Sequence, residues 1–209
     1  MNQGADIVVV IDDDCYPHDI DDLESFAHAH IEVLNAEHDV EMFQIVTDPP
    51  SRGTPYSSLH MKFKAAASVG FWTEIGDYCA VRQLAHNGAP MRFKTAAVID
   101  KYFPLCGMNL AFRPSDWLPW CSFIDVPRFD DIWMGWLWQK EAWRRRYCFA
   151  LSGPLVRHAR QSNVWANLQA EAKHLEATEQ LWQRIAASPA SKFEELVELL
   201  PVSQFCRPS

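Results

Sequence analysis

The sequence predicts an α/β protein, a mixed sheet flanked by helices, and three observations carry that expectation. Ile7-Val8-Val9-Val10-Ile11 is an unbroken β-branched run that stops in Asp12-Asp13-Asp14, the pattern of a strand covered on both faces, as strands of parallel sheets are. Ile20, Leu23, Ala27, Ile31 and Leu34 then recur at helical spacing. Residues 40–47 read as a second strand, closed by Asp48-Pro49-Pro50. Strand, helix and strand in succession are the α/β signature.

Composition narrows the function classes. At 209 residues with 48% hydrophobic and 22% charged residues, the chain is long enough to bury a core and ordinary for a globular protein. Its net charge of −8, from 27 acids against 19 Lys plus Arg, argues against binding nucleic-acid backbones. There is no apolar stretch of about 18 residues and no basic-plus-apolar leader, so neither a membrane span nor a signal peptide is expected. Six cysteines without a C-x-x-C pair exclude the usual zinc and disulfide patterns and suit a cytoplasmic protein with reduced thiols.

The triple acid carries the chemistry. Three adjacent carboxylates repel one another unless something positive shares the site, and in open α/β sheets the carboxyl ends of strands are where ligands bind. Asp12 and Asp14, alternate residues, can lean to one side and offer oxygens suited to Mn²⁺ or Mg²⁺ that still carries water and phosphate. The plainer reading is a solvated turn with helix-capping acids ahead of Pro17.

Further along, Asp19 or Asp21 is placed to cap the first helix. Between residues 56 and 102 the periodicity is mixed, with short candidates around 65–67 and 95–99. Residues 107–112 read as a strand stopped by Pro114, after which Ser115 can cap a short helix through Trp120. Residues 132–146 form an amphipathic helix with Asp130 and Asp131 at its amino end, where the dipole favours negative charge. A plain cap accounts for one of these acids, not both. Residues 147–151 read as a strand and Gly153-Pro154 as a turn leading into Leu155-Val156-Arg157-His158, followed by one long helix striped with Trp165, Leu168, Ala172, Leu175, Trp182 and Ile185, and by a last helix over 191–200. Of the nine tryptophans, Trp133, Trp136 and Trp143 share a helical stripe and belong to the core. Trp72 and Trp165, near loops, are the candidate sugar platforms. Arg157 and Arg160 flank His158 as phosphate contacts or as solvated surface.

These blocks stand in a recognisable order: Val9-Val10-Ile11-Asp12-Asp13-Asp14-Cys15-Tyr16-Pro17, Gly70-Phe71-Trp72, Ile75-Gly76-Asp77-Tyr78, Cys106-Gly107-Met108-Asn109-Leu110-Ala111-Phe112, then Arg128-Phe129-Asp130-Asp131-Ile132-Trp133-Met134-Gly135-Trp136. His158, Ser162-Asn163 and Asn167-Leu168 close the series. Over about residues 5–172 the chain resembles the reversibly glycosylated polypeptide family, the UDP-arabinopyranose mutases, which are similar to nucleotide-sugar glycosyltransferases of the GT-A fold. The resemblance implies a GT-A-like domain over residues 1–187, with a C-terminal helix and tail over 188–209. It implies Mn²⁺ or Mg²⁺ bridging Asp12 and Asp14 to the diphosphate of a UDP-sugar, with His158 as a further ligand. Read alone, His158 is equally a core residue. Asp13 and Arg157 fall among the residues contacting the nucleotide sugar, and Asp130 or Asp131 is the acid facing the acceptor. The implied activity is metal-dependent sugar transfer or pyranose/furanose mutase chemistry.

Two departures qualify the resemblance. Where the family carries a reversibly glycosylated arginine, ungapped alignment of Ser58-Leu59 and Gly70-Phe71-Trp72 puts His60. GT-A domains also place a strand-helix-strand nucleotide-binding half before the Asp-x-Asp strand, so an N-terminally truncated fold is expected, its bare sheet edge covered by a homo-oligomer or a companion subunit. The rival readings are a non-catalytic scaffold that partners a complete glycosyltransferase and, less well matched by the later blocks, a metal-dependent phosphohydrolase.

Overall fold

A computed structural model describes residues 6–44, 48–52, 54–55, 59–76, 78–86, 93–115, 117–118, 128–159, 163–189, 193–198 and 200. Strands β1 (Val8–Ile11), β2 (Cys15–Pro17), β3 (Glu37–Glu41), β4 (His60–Val69), β5 (Trp72–Glu74), β6 (Ala96–Val98), β7 (Asn109–Phe112), β8 (Cys148–Leu151) and β9 (Val156–His158) form two sheets. The larger runs β1-β7-β4-β8-β6, with β3 paired to the first half of β4; β4 and β8 are parallel and the other pairs antiparallel. The smaller is β2-β9-β5. The helices are α1 (Leu23–Asn35), α2 (Ala80–His86), α3 (Asp130–Arg144), α4 (Val164–Ala172), α5 (Leu175–Ala187) and α6 (Phe193–Val197). The expected α/β class, a mixed sheet flanked by helices, is what forms. Among the described residues no helix is long and apolar enough to cross a membrane.

β1 corrects one expectation. It is an edge strand, antiparallel to β7 and half-buried throughout, rather than an inner parallel strand. Both of its faces are nevertheless packed, Val8 and Val10 against one core cluster and Ile7 and Val9 against another. Burial on two faces selects the β-branched run; the direction of the neighbouring strand leaves no mark on it.

Small residues let helices approach the sheet. On one face Leu34 of α1 clusters with Ala65, Ala111 and Ala150. On the other, Leu110, Phe112 and Phe149 pack with Trp133, Leu137 and Trp138 of α3, Leu181 and Ile185 of α5, and Leu196 and Leu200. Ala66 and Ala67 both join this second cluster because a bulge in β4 shifts its register against β8 between Ala65 and Ala67.

Several boundaries move for physical reasons. The first helix is capped by Asp22, whose carboxylate accepts from the Ser25 N–H at 2.7 Å, and not by Asp19 or Asp21. Its inner stripe is Phe26, His30 and Leu34, while Leu23 points to solvent. Counting His30 as polar rotated the expected stripe. The strand expected over 40–47 is β3, which begins at Glu37 and ends at Glu41; residues 45–47, like the helix expected after Ser115 beyond Leu118, lie outside the described residues. The long C-terminal helix is two, α4 and α5, separated at Lys173 and His174.

Candidate functional site

The acid triad is the point where the chain passes from one sheet to the other. β1 delivers Asp12, whose N–H donates to the Met108 carbonyl at 3.2 Å, extending the β1–β7 ladder by one residue. The chain then turns, Cys15 N–H donating to the Asp12 carbonyl at 3.1 Å, and enters β2 beside β9. Asp12 and Asp13 are exposed, Asp14 is partly buried, and one carboxylate oxygen from each lies within 4.8 Å of the others.

His158 faces this turn from the small sheet. It is paired with Cys15 across β2–β9, and the N–H of Ala159 donates to the Asp14 carbonyl at 3.1 Å. His158 Nδ1 lies 3.0 Å from the carbonyl oxygen of Ile75, which can only accept, so the ring proton sits on Nδ1. Nε2 then faces Asp14 Oδ2, 3.8 Å away. The carbonyl is aimed by Glu74, which stands opposite His158 on β5 and takes φ 71°, a left-handed conformation rare outside glycine.

An imidazole nitrogen and a carboxylate oxygen turned toward one space can be bridged by a proton or by a cation. Two ligands on one small divalent ion, each bond about 2.1 Å long, stand roughly 3 to 4.2 Å apart. The Asp14–His158 spacing falls inside that window, and a backbone carbonyl on the other ring nitrogen is how metal-binding histidines are commonly oriented. Asp12, Asp13 and Asp14 are a donor set of the kind a divalent cation takes, and among the described residues His158 approaches that set at Asp14. Arg157 does not share their face: it alternates with inward Val156 and His158 and stands exposed opposite exposed Tyr16 on the outer side of the small sheet. Arg160 lies outside the described residues.

Behind the Cys106–Met108 turn is a cavity of about 420 Å³ lined by Trp72, Tyr78, Arg82, Cys106, Arg128 and Asp131 among others. Of the two acids that open α3, Asp131 lines this cavity. Its Oδ2 accepts the Gly107 N–H at 2.8 Å and its Oδ1 the Ile132 N–H at 2.8 Å, bracing the turn against the helix start. Asp130 is half-buried, and that burial pushes its carboxyl above the usual range. Trp72 is buried and lines the cavity without being an open platform; Trp165 is exposed on α4. His60, at the glycosylated position of the resemblance, opens β4 on its exposed side. The candidate site lies at the other end of that strand, roughly 30 Å along it at about 3.3 Å per residue.

One residue at the site went unsuspected in the sequence. Glu171 of α4 is buried, accepting the Ala80 N–H at 2.7 Å and the Arg128 Nε–H at 2.9 Å, and it lines the same cavity. Arg128 takes φ 76° to make that pair. A single glutamate in a helix whose buried positions, Asn167 and Glu171, are both polar has no periodic mark, and only the tertiary pairing shows its use.

The family model for the reversibly glycosylated polypeptide matches residues 4–193. The chain is 30% identical over 206 residues to "Probable UDP-arabinopyranose mutase 1" of Pisum sativum, covering 88% of this chain and 56% of that protein. It is 30% identical over 192 residues to "UDP-arabinopyranose mutase 1" of Oryza sativa subsp. japonica (79% and 50%), and 30% identical over 188 residues to "UDP-arabinopyranose mutase 2" of Arabidopsis thaliana (79% and 51%). The chain spans about half the length of the curated relatives it matches. Its blocks, their order and the family match along nearly the whole chain place it in the reversibly glycosylated polypeptide family.

Proposed function

We propose that this chain binds the diphosphate of a UDP-sugar at a divalent cation, Mn²⁺ or Mg²⁺, held by Asp12, Asp14 and His158, and that its chemistry is of the UDP-sugar mutase type. The observation that carries this reading is the acid cluster, with one oxygen of each of Asp12, Asp13 and Asp14 within 4.8 Å of the others and His158 Nε2 3.8 Å from Asp14 Oδ2. The names of the relatives supply the substrate class: those proteins are UDP-arabinopyranose mutases. A bound cation supplies positive charge to the diphosphate as it becomes a leaving group.

The chain's own groups do the rest. Asp131 holds the Cys106–Met108 turn against α3, fixing the turn that links Asp12, through Met108, to the cavity lining at Cys106. The cavity, with Arg82, Tyr78 and Trp72, receives the glycosyl group. The Glu171–Arg128 pair closes its far side.

The test is calorimetric titration of UDP into the purified chain with and without Mn²⁺, with Asp14→Ala as control. Metal-dependent binding lost in the variant is the expected result. Binding that is equal with and without metal, or unchanged in Asp14→Ala, overturns the metal reading.

A second reading, a non-catalytic partner of a complete glycosyltransferase, is favoured by the open edge of β1, which among the described residues pairs only with β7. Under it, UDP binds only when that second protein is added.

A further inference from the structure

Beneath the acid triad lies a buried polar network that neither the family blocks nor the metal reading explains. His30 of α1, Ser68 of β4 and Asn109 of β7 are each fully buried. The Asn109 amide donates from Nδ2 to two carbonyls, Phe71 at 3.0 Å and Pro154 at 2.8 Å. Its Oδ1 therefore faces His30 Nε2, 2.9 Å away, and that nitrogen must carry the ring proton. Nδ1 of His30 is left to accept from the Ser68 hydroxyl at 2.8 Å. Every polar atom of the three side chains has one role, and reversing any one leaves two acceptors or two donors face to face.

The positions of these contacts matter more than their number. Asn109 is paired with Ile11, the residue before Asp12, and its neighbour Met108 accepts the Asp12 N–H. The Phe71 carbonyl precedes Trp72, which opens β5, and also accepts the Val156 N–H at 3.0 Å; the Pro154 carbonyl precedes β9, which ends in His158. The residue that sits opposite Ile11, beside the strand that delivers the acids, therefore ties down through one amide group the segments that lead into β5 and into β9. Two glycines make room for it. A Cβ on Gly70 would lie 2.2 Å from the Pro154 oxygen and 2.3 Å from Asn109 Nδ2, and one on Gly153 would lie 2.8 Å from the Gly70 nitrogen.

We propose that Asn109 is the positioning residue of the acid and histidine site, with His30 and Ser68 locking its amide in the one orientation that holds β9 and the Phe71–Trp72 segment to the end of β1. It does not touch ligand; it sets the spacing between Asp14 and His158. Its functional consequence rests on the metal reading above, but its structural consequence does not.

The deciding variant is Asn109→Asp, which keeps shape but turns a donor into an oxygen facing the Phe71 and Pro154 carbonyls. Three readouts are taken on the full chain: the thermal transition, Mn²⁺ affinity from the paramagnetic resonance of free Mn²⁺, and the metal-free ¹⁵N spectrum of the His158 imidazole. The expected result is a protein that still unfolds cooperatively, binds Mn²⁺ at least about tenfold more weakly and loses the His158 Nδ1–H signature. A folded variant with lowered thermal midpoint but wild-type Mn²⁺ affinity and an unchanged His158 spectrum overturns the proposal, because Asn109 would then be structural only. If the wild type itself binds no Mn²⁺, the metal reading falls, and the His158 spectrum alone decides the positioning role. If Asn109→Asp does not fold, Asn109→Ser, which keeps one donor and adds no charge, is decided by the same outcomes.

Discussion

His158 Nε2 stands 3.8 Å from Asp14 Oδ2 while its Nδ1–H is held by the Ile75 carbonyl. That places an imidazole nitrogen and a carboxylate across one gap that a proton or a cation can bridge. His158→Ala removes the nitrogen ligand and leaves the acids in place. Mn²⁺ affinity at pH 7.5 is expected to fall by at least about tenfold, read by paramagnetic resonance. Arg157→Ala, on the opposite face, should leave it unchanged. Equal loss in both variants would mean the effect is general electrostatics and not ligation.

How much of this was legible in the sequence depends on what each residue signals. The Asp12–Asp14 run shows itself because three acids after a β-branched strand have few other uses. His158 needed the resemblance, since a lone histidine in a short strand carries no pattern. β4 was unreadable: Ala65-Ala66-Ala67-Ser68 has no β-branched residue, and these positions are small because helices pack closely on both faces. Asn109 and His30 were hidden for the opposite reason, being polar residues in the most buried layer, where periodicity counts them as surface.

Glu171 and Arg128 form an ion pair whose acid is 2% exposed and whose base is 35% exposed. Glu171→Ala strands the Arg128 guanidinium at a left-handed backbone position and leaves the Ala80 N–H without its carboxylate. The full cost of breaking a buried pair is about 3–5 kcal/mol. Water at the half-open Arg128 end reduces this to about 2–3 kcal/mol. Urea denaturation should show that loss for Glu171→Ala and a smaller one for Glu171→Gln, which keeps a neutral acceptor. A loss under about 0.5 kcal/mol in the alanine variant would mean the pair does not brace the cavity.

His30 makes stability depend on pH in a defined direction. Burial lowers its pKa from 6.5 to about 4, although the bond to Asn109 works the other way. Between those values the unfolded chain binds a proton that the folded chain refuses, so stability rises with pH across the window. It is complete above about pH 6.5 and declines as the pH falls toward 4. The shift corresponds to on the order of 3 kcal/mol at most. Carboxylates titrate in part of this range too, so the measurement is the difference between wild type and His30→Gln in denaturant melts at pH 4.5 and 7. The wild type should lose more stability than the variant on acidification. Parallel curves would show that His30 is not held neutral.

The open edge of β1 has a testable chemistry of its own. Asp12 N–H donates to Met108, so hydrogen-bonded pairs in this antiparallel ladder recur at Val10 and Val8, and the N–H groups of Val9 and Ile11 point away from β7. Outward donors with no strand beside them among the described residues invite a second strand. Asp6, Asp12 and Asp13, at the two ends of the run, oppose that pairing by charge when the incoming strand is another copy. Raising NaCl from about 0.05 to 1 M shortens the screening length to about 3 Å and removes that opposition. Light scattering is therefore expected to show association growing with salt from a species near 24.0 kDa. Val9→Pro deletes an outward N–H and none of the β1–β7 bonds, so it should suppress the salt-driven association while the far-ultraviolet spectrum stays the same. Association that persists undiminished in Val9→Pro would place the sticky surface elsewhere on the molecule, and the companion-strand reading of β1 would go with it.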